Sequence, residues 1–510
     1  MAVEHFQIGV VALPLMAAPI IALLGRSKWA HALTVAVAIG AAFMSWVLLA
    51  QVLSEGPMRY RLGNWPAPWG IEYRLDIFGA IVQTLVATLA AVMMPHLQRL
   101  LILEIPPARI APAMAAFLLL LSGLLGIVAT GDAFNVFVFL EISSLSTYAL
   151  IALGRRREAL VASFRYLIVG TVGATFFLIG VGLLYIMTGT LNMDDLAIRL
   201  PAISQSASVQ TAVAFVVLGL AIKAAIFPLH FWLPAAYSEA PSAIGAFLAA
   251  TSTKVALYAL ARFLFGVFPL ADLPLGEGLL IFLQSLAVIA MLVGSALAIN
   301  QKDLRRLLAY SSIAQIGYIV LGLSLASLAG LTAATIHIVN HALMKAALFM
   351  AVGAMAYQTG SASLKTLRGL GHRMPITSAS LLIAGFSLVG VPLTAGFISK
   401  WWLISALIEQ QQWMWMAAVL ASSVLSVIYF WKIVETLYER TDASVERCEP
   451  SVVIWGPIAI LALANLWLGV DAGALVETAG RGAEWLLGMT PAGPIASVES
   501  VVPAIDGALP

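Results

Sequence analysis

Charge is scarce in this sequence. Only 10% of its 510 residues are Asp, Glu, Lys or Arg, against 61% hydrophobic, which excludes a chain of soluble domains, whose surfaces need far more charge. Cys448 is the single cysteine, so an internal disulfide and a four-cysteine iron–sulfur site are excluded as well. No GxGxxG fingerprint follows a strand-like run, which removes a dinucleotide site. The opening MAVEHFQIGVVALPLMAAPIIALL has no basic n-region and no small-residue cleavage site, and it reads as a retained first span rather than a signal peptide. A net charge of +2 gives no indication of nucleic acid.

What is present is apolar length. Runs able to cross a hydrocarbon layer of about 30 Å fall near residues 7–25, 30–52, 73–94, 110–130, 133–153, 163–188, 210–233, 240–267, 277–299, 304–326, 329–357, 374–403, 412–437 and 452–470. They predict an all-α, polytopic membrane protein of about fourteen transmembrane helices, because a helix satisfies its own backbone in lipid. Basic residues test the count. Arg26 and Lys28, Arg99 and Arg109, Arg155 to Arg157, Lys302 with Arg305 and Arg306, Lys365 with Arg368 and Arg373, and Arg440 with Arg447 lie in alternate loops, while the opposite loops hold Arg59, Arg61, Arg74 and Arg199. Basic loops face the cytoplasm. An even number of spans in a bacterial inner membrane, with both termini outside, fits this pattern.

The segment YRLGNWPAPWGIEYRLD is too polar to cross and predicts turns or a short outer hairpin, with Trp65 and Trp69 at the interface. Residues 471–510 are rich in Gly, Pro and Ala apart from an amphipathic patch near 474–488, expected on the membrane or against a partner. Two spans are interrupted by proline: AIKAAIFPLHFWLP at 221–234 and SLVGVPLTAGFISKWW at 387–402. Both carry a Pro-Leu pair, at Pro228 and Pro392, and both carry a lysine, Lys223 and Lys400. Paired broken helices in two halves point to an inverted repeat with a transport site at its midplane. The expected divisions are 1–109 (N-terminal helices and outer loop), 110–270 and 271–440 (two repeats), and 441–510 (last helix and tail).

Loop charges aside, the ionisable residues well inside spans are Glu141, Lys223, His230, Lys254, His337, His341, Lys345 and Lys400. Each central charge costs roughly 2.5–3.5 kcal/mol or more, so each is a functional candidate. Glu141 and Lys223 form a candidate switchable pair, since a carboxylate at 4 Å stabilises an ammonium by about 4 kcal/mol at an effective dielectric near 20. Lys254, beside Thr251, Ser252 and Thr253, is the next station. HIVNHALMK sets His337, His341 and Lys345 at i, i+4 and i+8, on one helical face, as a hydrated relay toward Lys400.

Other readings stand beside these. Glu141 and Lys223 also fit a static clamp between helices. The HxxxH spacing of His337 and His341 fits zinc, although no carboxylate follows at ligand spacing, and haem would need histidines on facing helices. Asp132 fits a turn or N-cap, Arg155 to Arg157 a topology anchor, and His230 and Tyr318 fit satisfied core groups.

At these residues the sequence resembles the proton-conducting antiporter-like family shared by Mrp cation/proton antiporters, respiratory complex I and membrane-bound hydrogenases. The resemblance covers residues 70 to 440. FNVFVFLEISSLSTYAL is similar to the family's fifth span, and its glutamate lands on Glu141. IKAAIFPLHFWLPAAYSEAPSAIGAFLAATSTKVALYALARF is similar to the broken seventh span and the eighth, placing lysines at Lys223 and Lys254. QKDLRRLLAYSSIAQIGY and HALMKAALF are similar to the tenth and eleventh spans, placing His341 and Lys345, and the last broken span's lysine lands on Lys400. GNWPAPWGIEYRLD, the length and FVFLEISSLSTYAL look most like the D-type subunit of Mrp antiporters. Many complex I members carry an aspartate after the FWLP-type turn, where Pro234 is here followed by Ala235 and Ala236.

The resemblance implies a proton-translocating subunit of a multisubunit Na⁺(K⁺)/H⁺ antiporter of Mrp type, an ion-transport subunit rather than an enzyme in itself. The alternative is an antiporter-like pumping subunit of a complex I-type NADH:quinone oxidoreductase or a membrane-bound hydrogenase. Either way the expected partners are other membrane subunits, protons and monovalent cations, and no cofactor or metal is expected in this chain.

Overall fold

The computed structural model describes residues 3–25, 28–440 and 447–489; Arg26 and the tail from residue 490 lie outside them. In chain order the elements are α1 (Glu4–Leu24), α2 (Lys28–Glu55), β1 (Met58–Arg61), β2 (Glu72–Leu75), α3 (Ile77–Glu104), α4 (Ile110–Ala129), α5 (Ala133–Ile151), α6 (Arg157–Thr188), α7 (Met193–Arg199), α8 (Ala207–Lys223), α9 (Leu233–Glu239), α10 (Ser242–Gly266), α11 (Gly276–Ile299), α12 (Leu304–Ser324), α13 (Leu328–Thr359), α14 (Leu370–Arg373), α15 (Pro375–Val389), α16 (Ala395–Glu409), α17 (Trp413–Tyr438), α18 (Val452–Val470) and α19 (Gly473–Leu486). The protein is an all-α, multi-pass membrane protein. Among the described residues, twelve helices are long and apolar enough to cross a membrane: α1 to α6, α10 to α13, α17 and α18. The expected fourteen is reached only if the two interrupted spans, α8–α9 and α15–α16, cross too; length and hydropathy alone do not establish that number.

Burial sorts the helices. In α10, α12 and α13, 94% of the central window is buried, against 39% or less in α1, α2, α6, α17 and α18. The second group presents apolar side chains outward, as lipid requires, and the first can carry polar groups out of lipid's reach.

Both predicted breaks are present. α8 stops at Lys223 and the chain runs irregularly through Pro228 to α9; α15 stops at Val389 and restarts at Ala395 beyond Pro392. Each break holds a non-glycine residue at positive φ, Ala225 at 56° and Leu393 at 67°, conformations that cost energy and concentrate at functional sites.

The repeat is visible in the hydrogen bonds. Asp132 caps α5 by accepting from Asn135 N at 2.7 Å, and Asp303 caps α12 by accepting from Arg306 N at 3.1 Å. A β-bridge joins Asp132 to Asn192 and another joins Asp303 to Ser363. Between the members of each pair runs a 32-residue helix, α6 or α13, closed by a left-handed glycine, Gly189 or Gly360. The two copies lie on opposite faces. Asp132 sits beside the β1–β2 hairpin, whose Tyr73 bridges Thr130, whereas Asp303 lines a basin with Arg155, Arg156, Arg305 and Arg306. One structural unit used twice with reversed direction is an inverted repeat.

The expected hairpin forms, with Met58 opposite Leu75 and Arg61 opposite Glu72. Three of its charges are paired: Arg59 meets Asp194 at 2.7 Å and Glu72 at 3.5 Å, and Arg74 also pairs with Asp194. The amphipathic patch near 474–488 forms α19, which lies on the chain's own α3 and α13. Ala479 and Ala483 are fully buried and Arg481 donates to Leu53 O at 2.8 Å. Its apolar face is therefore covered from within the chain, a correction to the expectation of a membrane-surface or partner-bound segment.

Candidate functional site

The interrupted helices set the two outer stations of the site. Lys223 occupies the last turn of α8. Lys400 stands on α16 but donates to the freed carbonyls ending α15, Leu388 O at 3.2 Å and Val389 O at 2.8 Å. The Lys400 amine thus lies at the carbonyl end of a half-helix, where unsatisfied C=O groups and the helix dipole favour a cation, whereas the Lys223 amine reaches side chains and the carbonyls ending α8 are taken up by the N–H groups of Ala224, Ala225 and Ile226 and by Trp232 Nε1. The second Pro-Leu break has this physical meaning: it exposes acceptors that a continuous helix would consume.

Around Lys223 the geometry is that of a loose, adjustable pair. Its Nζ donates to Ser144 Oγ at 2.6 Å and lies 3.8 Å from Glu141 Oε1. Lys223 is buried while the Glu141 side chain is 25% exposed. A cavity of about 20 Å³ adjoins them, lined by Ser144, Thr147, Tyr166, Lys223 and Ser252, room for one water. Across it, the hydroxyl of Ser252 has no hydrogen-bond partner among the described residues, so it is free to hold water between Lys223 and Lys254, while Thr253 faces the Tyr237 hydroxyl. Thr251 is not available, since its hydroxyl already donates to Phe247 O at 2.8 Å. Lys254 itself is fully buried and donates to Ala249 O.

From Lys254 the file passes to α13. His337, His341 and Lys345 share one face as the spacing predicts, with the two imidazoles stacked at 5.9 Å between centroids. His341 has Lys254 and Lys345 as charged neighbours, and neither of its ring nitrogens has a hydrogen-bond partner among the described residues. Lys345 donates to Leu308 O at 2.8 Å and Ser311 Oγ at 2.5 Å. His337 is held at both nitrogens, Nε2 to Gln315 Oε1 at 2.9 Å and Nδ1 to Ser399 Oγ at 2.7 Å. Neither nitrogen is left to chelate zinc alongside His341. Ser399 immediately precedes Lys400, whose amine also reaches Ser423 Oγ at 3.3 Å and sits 4.9 Å over the Tyr318 ring, a cation–π contact. The structure therefore brings Glu141, Lys223, Lys254, His341, Lys345, His337 and Lys400 into one interior series. His230 stays apart in the α8–α9 break, stacked on Phe227.

Sequence reasoning misses several buried polar groups. Gln315, Ser311, Ser399 and the half-buried Ser423 link the charged residues, yet their types are common in helices and only the facing helix reveals them. His96 is fully buried and bonds Ile454 O at 2.9 Å; the apolar run of the third span ends at residue 94, whereas α3 continues to Glu104. Arg262 lies near a span end, where a charge is unremarkable, though its partner Asp76, 186 residues away, is fully buried. On the basic face, a basin of about 540 Å³ is lined by Glu104, Arg155, Arg156, Glu239, Arg305 and Arg306 among others. Glu104 takes up the first N–H of α10, at Ser242 N, 2.7 Å away.

Comparison with known proteins shows the family of the chain. Residues 130–426 match the family described as NADH:quinone oxidoreductase/Mrp antiporter, TM. The chain is 44% identical over 441 residues to the N subunit of the NADH-quinone oxidoreductase of Desulforudis audaxviator, covering 85% of this chain and 86% of the relative. It is 30% identical over 489 residues to the D subunit of the Na(+)/H(+) antiporter of Bacillus subtilis, covering 95% and 97%. Among solved structures, a chain of the archaeal membrane-bound sulfane sulfur reductase superposes with a TM-score of 0.89 at 34% identity, covering 94% of this chain and 98% of that one. A chain of the Mrp complex from Dietzia sp. superposes with a TM-score of 0.88 at 26% identity, covering 96% and 98%.

Proposed function

This chain belongs to the NADH:quinone oxidoreductase/Mrp antiporter family, and we propose that it is a proton-translocating subunit of a multisubunit monovalent cation:proton antiporter of the Mrp type. The observation that carries the reading is the burial of Lys223, Lys254, His337, His341, Lys345 and Lys400 in the interior, with Glu141 beside Lys223 and Lys254 and Lys345 beside His341. Four buried amines are costly in a membrane. A clamp between helices would need one pair, not a file with an unpartnered hydroxyl and imidazole nitrogens spaced for water.

In this reading protons load from the basic face. The basin there reaches Ser238, next to Tyr237, which faces Thr253 beside Lys254. Glu141 moves relative to Lys223 and so sets whether that amine keeps its proton. The displaced charge passes along α10 and α13, and Lys400 releases it at the α15–α16 break. Residues 110–270 and 271–440 act as two repeats, the first carrying the carboxylate switch and the second the outlet; the described helices within 1–109 and 441–510 pack against them. Basic loops inside and both termini outside, in a bacterial inner membrane, complete the assignment. The membrane potential supplies about 2.3 kcal/mol per charge per 100 mV.

The second reading is a pumping subunit of a redox-driven complex, favoured by the 44% identity to the N subunit of an NADH-quinone oxidoreductase and by the reductase superposition. Nearly full-length coverage of the antiporter relative from Bacillus subtilis and the Pro234-Ala235-Ala236 turn favour the first. Proteins that accompany this chain in mild detergent decide between them: small hydrophobic antiporter subunits support the first reading, iron–sulfur subunits the second. For the proton path itself, Lys223→Ala in the assembled complex should abolish proton flux into inverted vesicles, and normal flux would dispose of the assignment.

A further inference from the structure

The second repeat buries a phenol that the series above does not use. Tyr429, on α17, is fully buried, and its hydroxyl lies within reach of Gln315, Ser311 and Ser426 without closing a hydrogen bond of ordinary geometry to any of them, although buried tyrosine hydroxyls ordinarily close one. Its surroundings are polar: Ser311, Gln315 and Ser426 face it. Ser311 accepts from the Lys345 amine at 2.5 Å. Gln315 spends Oε1 on His337 Nε2 at 2.9 Å, so its amide nitrogen is the end left for the phenol. The hydroxyl therefore stands beside both the partner of Lys345 and the partner of His337.

We infer that Tyr429 is a proton-relay residue, and that Ser311, Tyr429 and Gln315 form a branch joining Lys345 to His337 in parallel with His341. The inference rests on the proton-file reading proposed above. His337 in its neutral form gives its Nε2 proton to Gln315 and accepts at Nδ1 from Ser399. A proton arriving at Nδ1 from the Ser399 side releases the Nε2 proton through a water steered by the Gln315 amide. The Tyr429 oxygen takes it as its own hydroxyl proton passes to Ser311, whose hydroxyl turns away from Leu308 O, to which it donates at 2.9 Å, and gives its proton to a neutral Lys345 amine. Each hydroxyl gains one proton and loses one. Run in reverse, the same steps carry a proton from Lys345 to Lys400. Gln315 is a positioning residue in this branch, acting through the tautomer of His337.

The test uses the whole complex reconstituted into vesicles, with proton flux under an imposed pH gradient read from an entrapped pH dye and normalised to assembled complex. His341→Ala keeps measurable flux, because the Tyr429 branch remains. Tyr429→Phe, which retains the packed ring, lowers flux severalfold. The double variant falls about tenfold below the product of the single effects, the non-additivity expected of parallel routes. Gln315→Glu displaces the pH profile of flux, whereas a purely structural role would scale flux equally at every pH. Complete loss in His341→Ala alone, or a double variant no worse than His341→Ala, overturns the branch. Normal flux in a Glu141→Ala control overturns the proton-file reading instead, so the two failures are distinct. Should Tyr429→Phe fail to assemble, Ser311→Ala breaks the branch one step earlier and carries the same expectation.

Discussion

Replacing Glu141 in graded steps measures how far the proposed switch depends on charge and distance. Its Oε1 lies 3.8 Å from Lys223 Nζ, a separation worth about 4 kcal/mol at an effective dielectric near 20. Because the Glu141 side chain is 25% exposed, solvent screening trims this to about 3 kcal/mol. Glu141→Gln keeps the shape and removes the charge, so flux should fall about 100-fold, since about 1.4 kcal/mol is a factor of ten in rate. Glu141→Asp keeps the charge and draws it back by one C–C bond, about 1.5 Å. The attraction at that distance is about three-quarters of the original, and flux should fall only about fivefold. The assay is proton uptake by inverted vesicles, normalised to assembled complex in each variant. The expected order is wild type, then Asp, then Gln. Wild-type flux in Glu141→Gln refutes the switch. Equal losses in both variants refute its dependence on distance and leave the static clamp, whose mark would be a lowered thermal stability of the complex.

Three further tests address the scaffold, and one addresses the outlet. Gly390 holds φ at +91°, and a Cβ there would come within 2.9 Å of the Lys400 side chain. Gly390→Ala should therefore lower flux, while Gly189→Ala, with φ at +73° and open space around it, should cost comparable strain of about 1–3 kcal/mol and spare flux. Asp76→Asn leaves the Arg262 guanidinium buried without its counter-ion and weakens the cap on α3, so the complex should lose about 3–5 kcal/mol of stability, read by thermal unfolding. Asp132→Ala and Asp303→Ala remove equivalent caps in the two repeats and should each cost about 1 kcal/mol, with unequal costs arguing against equivalence. Outside the spans, burial acts to raise the Asp195 carboxyl, but hydrogen bonds from Arg199 and Thr190 and the Arg199 charge prevail and hold it below the usual range. Its contribution is then present above the unfolded carboxylate value near 4 and is lost as pH falls through the lower folded value. Hydrogen exchange at α7 should rise at acid pH in the wild type and lose that dependence in Asp195→Asn.

How much was legible in the sequence followed from cost. Glu141, Lys223, Lys254, Lys345 and Lys400 stood out because lipid makes such residues rare, and Pro228 and Pro392 stood out because each removes a backbone donor that a span needs. Those two signals located the broken helices and the stations beside them. Ser399, Gln315 and Tyr429 gave no such signal, because a hydroxyl or amide in a helix can satisfy itself locally and only the opposing helix shows that it does not. The pairing of Asp76 with Arg262 was hidden by distance along the chain. For α19, amphipathicity was correctly read, but the same pattern serves a membrane surface and a groove formed by α3 and α13, and sequence alone cannot choose between them.

The internal repeat also bears on direction. One 171-residue shift carries Asp132 onto Asp303, Asn192 onto Ser363, Thr188 onto Thr359 and Gly189 onto Gly360. The same shift carries Glu141 onto Ser312 and Ser144 onto Gln315. The first repeat thus sets a carboxylate beside its break lysine where the second has only a hydroxyl. Lys400 is held instead by two carbonyls, Ser423 and the Tyr318 ring, none of which gains or loses charge. An interior series with a carboxylate at one end and neutral acceptors at the other is not interchangeable end for end. Movement of a neighbouring group can change the charge balance at Lys223 directly, but reaches Lys400 only through what passes along the file. The proposed proton file therefore predicts that the coupling input acts at the Glu141 end.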